Sequence, residues 1–221
     1  MNAISPPRER LHLVLMLALT FSTGIIDAVG YLGLDRVFTG NMTGNVVILG
    51  MALVGADDLP VLGPAIALVT FFVGALIGGS VLRGSRAGWN HRKTALFLTV
   101  GGILAASGGV IASGTRDSVL LYAVTGALGL AMGIQASAAR RLAVKDVTTV
   151  VVTSTLTGLA ADLRFATQQD QPWARRLIAV GLIGLGALVG AWCVHQGAAW
   201  GLALSAVITI TVALCGHLTK N

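Results

Sequence analysis

Two short polar stretches carry the same residue types at the same spacing. Residues 37–45 read Val-Phe-Thr-Gly-Asn-Met-Thr-Gly-Asn, and residues 151–158 read Val-Val-Thr-Ser-Thr-Leu-Thr-Gly. Superposed, Thr39, Thr43 and Gly44 fall on Thr153, Thr157 and Gly158. Threonine hydroxyls and the amides of Asn41 and Asn45 supply donors and acceptors, and glycine lets a solute or a second backbone come close. Each stretch follows a long apolar segment that ends with a polar residue. These are Asp27 in Gly-Ile-Ile-Asp-Ala and Gln135 in Gly-Ile-Gln-Ala. A carboxylate inside an apolar helix must face protein or water, so Asp27 reads either as a proton- or cation-binding group or as a hydrogen-bond partner of the Thr-Gly-Asn stretch. If short helices begin at these stretches, their N-termini bring unpaired N–H groups and partial positive charge to one place, which suits an anionic or polar solute.

The surroundings are a membrane protein. Hydrophobic residues make up 55% of the 221 and charged residues 11%, whereas a soluble domain is roughly a quarter charged. Mean hydropathy is +0.82. The isoelectric point near 10.2 does not indicate nucleic acid, because the basic residues cluster in short loops between apolar runs, as membrane loops do. Arg8 and Arg10 precede an apolar run with no small-residue cleavage site in register, so that run is expected to be the first membrane helix. Cys193 and Cys215 do not read as a disulfide, and no Cys/His spacing resembles a metal site. No catalytic grouping, phosphate loop or cofactor motif is visible, so no enzyme is expected.

Apolar stretches run over about 11–34, 43–56, 61–82, 94–113, 118–139, 147–163, 176–194 and 198–217. Six can cross a hydrocarbon core of ~30 Å. The second and sixth are shorter and open with the polar motif. If all eight crossed, the loop with Arg83, Arg86, Arg92 and Lys93 would face outward, against the positive-inside rule. If the two short segments dip in and return, thirteen of the fifteen basic residues lie on the cytoplasmic side, leaving Arg36 and Arg116 outside. The expected fold is therefore all-α and polytopic. It has six transmembrane helices plus two re-entrant half-helices in two inverted three-helix repeats, about 11–113 and 118–217. The chain forms a single membrane domain with both termini cytoplasmic. The glycine pairs Gly74/Gly78, Gly129/Gly133 and Gly186/Gly190 have the spacing of helix-packing sites. Asp162 and Arg164 close the second short segment, as an interfacial pair or an inner gate.

The stretches Gly-Ile-Ile-Asp-Ala-Val-Gly-Tyr-Leu (24–32) and 37–45 resemble the YoaK-like family of bacterial membrane proteins, a domain-of-unknown-function group. Gly-Ile-Gln-Ala-Ser (133–137) and the Val-Thr-Ser-Thr-Leu-Thr-Gly stretch look like its second signature, with Ala136 and Leu159 where the family pattern has asparagine. The resemblance implies a six-helix inner-membrane protein and no established substrate.

Two functions remain open. One is a small-solute transporter or channel with a midplane site formed by Asp27, Thr39, Asn41, Thr43, Gly44, Asn45, Gln135, Thr153, Thr157 and Gly158. The other is a non-transporting membrane scaffold or accessory subunit, in which the polar stretches pack helices and the basic face recruits a protein or anionic lipid. A homo-oligomer fits either reading, since six short helices enclose little volume.

Overall fold

The structure, a computed structural model, describes residues 6–85, 88–142 and 173–219. Within them the chain forms helices α1 (Pro6–Gly33), α2 (Met42–Ala52), α3 (Leu62–Val81), α4 (His91–Ala112), α5 (Ser118–Leu142), α6 (Trp173–Gln196) and α7 (Ala198–Leu218). All but α2 are long and apolar enough to cross a membrane. An unbroken helix satisfies its own backbone polar groups, which hydrocarbon demands. The second short segment, with Thr153, Thr157, Gly158, Asp162 and Arg164, lies outside the described residues.

The helices pack as pairs. The closest associations are α3 with α5, α1 with α6, and α4 with α7, followed by α1 with α7 and α4 with α5. Glycine makes the first two pairs tight. A Cβ on Gly24 would fall onto the Ile183 carbonyl, one on Gly186 onto the Phe21 carbonyl, and one on Gly190 would meet Ile25 and Ala28. In the other pair, Gly133 meets the Phe71 carbonyl, Gly74 the Leu130 carbonyl, and Gly78 Ile134 and Ser137. The two sets coincide in register when α1 is laid on α5 and α3 on α6. Close backbone approach through small residues replaces the hydrophobic drive that lipid removes.

The contacts also fix direction. Phe21 meets Gly186 and Ile25 meets Gly190, so α1 and α6 run parallel, and the same holds for α3 and α5. Gly101 meets Ile210 while Gly108 meets Leu202, so α4 and α7 run antiparallel. His12 stacks near Trp89, ring centroids 5.9 Å apart, and its Nε2 lies 3.3 Å from the Thr219 hydroxyl. The starts of α1 and α4 and the end of α7 therefore share one end of the bundle. At the other end Arg36 donates to the Asp57 carbonyl at 3.3 Å. Arg36 and Asp57 therefore lie together at the two ends of the segment that contains α2. At ~1.5 Å per residue its 11 residues span ~16 Å, about half a hydrocarbon core.

One sequence expectation changes. Lys93 belongs to the first turn of α4 rather than to the preceding loop, and it is fully buried. Its ammonium donates to the Gly88 carbonyl, and Asn90 caps the helix by accepting from the Lys93 N–H at 3.0 Å.

Candidate functional site

The first Thr-Gly-Asn stretch folds back on α1. That helix stops where Asp35 and Arg36 take left-handed dihedrals, φ +64° and +57°. The Arg36 N–H then reaches the Tyr31 carbonyl at 3.1 Å, a helix-terminating wrap. The returning strand of backbone passes so near α1 that a Cβ on Gly30 would sit 2.5 Å from the Val37 carbonyl.

Asp27 receives this turn. Its Oδ1 accepts from the Thr39 N–H at 2.9 Å and from the Gly40 N–H at 2.6 Å. The Thr39 side chain is buried against the same carboxyl group. Among the described residues no basic side chain pairs with Asp27. Gly40 is wedged between helices: a Cβ there would lie 3.0 Å from the Thr23 methyl, 3.2 Å from the Met132 methyl and 3.4 Å from Asp27 Oδ1.

Asn41 then caps α2, its Oδ1 accepting from the Gly44 N–H at 3.2 Å. Asn45 is fully buried and clamps Phe38 at both ends. Its Oδ1 accepts from the Phe38 N–H at 2.9 Å, and its Nδ2 donates to the Phe38 carbonyl at 2.5 Å. This is a side-chain amide standing in for a backbone partner, and it satisfies groups that the non-helical turn leaves free. Phe38 in turn stacks on Tyr31, centroids 5.0 Å apart and planes at 25°.

Two expectations are modified. The Gly44 N–H in the first turn of α2 is taken by Asn41 and the Thr39 and Gly40 N–H groups just before the helix by the Asp27 carboxylate, so these donors are not free for an anion. Asn45 spends its amide on Phe38 and, at 3.7 Å, on the Met42 sulfur, so it holds the turn in shape. Thr43 is exposed on α2. The hydrogen-bonded role weighed for Asp27 is the geometry observed.

Gln135 is fully buried on α5, and its Nε2 donates to the Thr23 hydroxyl at 3.1 Å. That hydroxyl donates to the Leu19 carbonyl at 2.9 Å. Asp27, Gly40, Thr23 and Gln135 thus form one contiguous polar patch joining α1, the turn and α5. Gln135 Oε1 is buried with no partner among the described residues, a costly state for an amide carbonyl. In the glycine register above, Gln135 matches Ile26, and Ala136 matches Asp27. Thr23 was missed by motif reading, although it stands one helical turn before Asp27 on the same face.

A cleft of about 350 Å³ opens beside Asp27, between α1, the turn and α6. Asp27, Tyr31 and Asn41 contribute its polar groups, and its α6 wall is Ile183, Ala187 and Ala191. Its volume lies within the usual range for ligand sites. No group of His, Cys, Asp and Glu among the described residues could hold a metal ion.

A family model described as "Protein of unknown function (DUF1275)" matches residues 15–215. The chain is 30% identical over 183 residues to the "UPF0700 transmembrane protein YoaK" of Bacillus subtilis (strain 168), covering 79% of this chain and 80% of that protein. No solved structure matches. The chain therefore belongs to this family of transmembrane proteins of unknown function.

Proposed function

We propose that the protein is a small-solute transporter or channel of the plasma membrane, with its site where the turn before α2 meets α1, α5 and α6. The observation that carries this reading is non-helical backbone, residues 38–41, held inside the bundle against a carboxylate and beside an open cleft. Such backbone persists at membrane depth only where protein or water satisfies it. Asp27, Thr39, Asn41, Thr43 and Gly44 form the first half of the proposed site. Gln135 with Thr153, Thr157 and Gly158 forms the second half.

We further propose two inverted units, each a helix, a re-entrant segment and two helices, with both termini cytoplasmic. The matched glycine contacts support it: exchanging α1 with α5 and α3 with α6 maps one tight pair onto the other. The shared end of residues 36 and 57 supports the re-entrant path of α2. Under this reading α1/α6 and α3/α5 are two equivalent arms that rock about the α4/α7 pair, as an alternating carrier requires.

The scaffold reading draws on one specific feature, the complete internal use of Asn45. Reconstituted liposomes separate the two. The transport reading expects faster swelling than in empty liposomes in at least one of isotonic glycerol, urea, an amino acid and an alkylammonium salt, and slowing on Gly40→Val, which forces a side chain against Thr23 and Met132. Equal rates for protein-containing and empty liposomes across all solutes would favour the scaffold.

A further inference from the structure

We propose that the cleft between α1 and α6 binds an organic ammonium ion with an apolar body. This proposal rests on the transport reading and names the solute class of the same site.

Asp27 contributes a carboxylate to the cleft wall, with no basic partner among the described residues. The groups that hydrogen-bond it, the backbone of Thr39, Gly40 and Asn41 and the Thr39 side chain, are all uncharged, and the Thr39 and Gly40 N–H groups meet at Oδ1. They leave the net negative charge in place. A carboxylate in apolar surroundings gains most from a counter-cation that brings little bound water. Small, strongly hydrated metal ions demand several oxygen ligands, and the cleft offers no such set. An alkylammonium needs only one carboxylate and an apolar wall.

The rest of the cleft supplies that wall. Ala28, Ile183 and Ala187 are aliphatic, and the stacked rings of Tyr31 and Phe38 border the same space. Aromatic faces attract weakly hydrated cations within about 6 Å of the ring centroid. A free anion is disfavoured by Asp27 itself. A fully polar solute would leave most of its hydrogen-bonding groups without partners against these walls.

The test is calorimetric binding of benzyltrimethylammonium to the purified full-length protein in detergent, with benzoate and benzyl alcohol as the anionic and neutral comparators. The proposal expects saturable, one-site binding of the cation and none of benzoate. Asp27→Asn keeps an oxygen for the Thr39 and Gly40 N–H groups, so the turn has its acceptor, yet cation binding is expected to be lost. Tyr31→Leu, which leaves the carboxylate untouched, is expected to weaken binding about threefold to thirtyfold, the worth of one cation–π contact. Unchanged cation affinity in a monodisperse Asp27→Asn protein would overturn the proposal, as would benzoate binding more tightly than the cation. Failure here with liposome swelling intact removes the solute class and leaves the transport reading standing; loss of both removes the site.

Discussion

Asp27 and Gly40 are joined by a 2.6 Å hydrogen bond from the glycine N–H to the carboxylate. The bond ties the last third of α1 to the non-helical turn that precedes α2. It explains why an acidic residue is tolerated there: the carboxylate replaces partners that lipid cannot give. It also sets the polarity of the site, since the positive end of α2 is answered from within the chain.

The turn depends on Asn45. Asn45→Ala would leave the Phe38 N–H and carbonyl unsatisfied, at a cost of ~1–3 kcal/mol for each buried group. A lowered thermal unfolding temperature in detergent is the expected result. Asn45→Asp retains the acceptor but loses the donor, so it is expected to fall between Asn45→Ala and wild type. Equal stability of all three would mean the clamp contributes nothing.

The matched helix pairs make a paired prediction. Gly74→Ala and Gly186→Ala each drive a methyl onto a carbonyl of the facing helix, Leu130 and Phe21 respectively. Both are expected to destabilise by similar amounts, at least the ~1–3 kcal/mol of an overpacked core. Gly79→Ala and Gly102→Ala meet nothing within 4 Å. They are expected to be neutral or slightly stabilising, because alanine is the better helix former. Unfolding in denaturing detergent ranks the four.

These contacts show what the sequence made legible. Periodic apolar runs located six long helices to within a few residues, because a membrane helix must be continuous and about 20 residues long. The spacing of Gly74/Gly78 and Gly186/Gly190 marked packing surfaces, but their partners were not legible, since pairing depends on which helices lie side by side. The Thr-Gly-Asn stretch marked the turn that folds back on α1. Its internal division of labour was hidden: Asn41 caps, Asn45 clamps, and Thr43 is exposed on α2. Adjacent asparagines of one motif look alike until the chain turns. Lys93 was misread as a loop residue because the cap at Asn90 starts α4 earlier than its apolar run does.

Gln135 separates stability from function. Gln135→Leu removes an orphaned carbonyl along with the bond to Thr23, two effects that nearly offset. Thermal stability is expected to stay within about 1 kcal/mol of wild type, while solute flux in liposomes falls. Unchanged flux with unchanged stability would place Gln135 outside the solute path.

The proposed re-entrant path of α2 sets which loops face outward. A single cysteine at Asp58 is expected to react with a charged thiol reagent from outside intact cells, and one at Arg83 only in inverted vesicles. Both variants would be made in a Cys193→Ala, Cys215→Ala background. The reverse pattern, Asp58 labelled only in inverted vesicles and Arg83 from outside, would require α2 to complete a crossing.

The most direct test asks whether water reaches the cleft beside Asp27. Single cysteines at Asn41 and Ala191, both lining the cleft, would be compared with one at Leu188, which is 65% exposed on the lipid-facing side of α6. The account predicts that a small charged thiol reagent labels Asn41→Cys and Ala191→Cys and spares Leu188→Cys. Failure to label either cleft cysteine in folded protein, from both sides of the membrane, would contradict it and leave the Asp27 turn as packing alone.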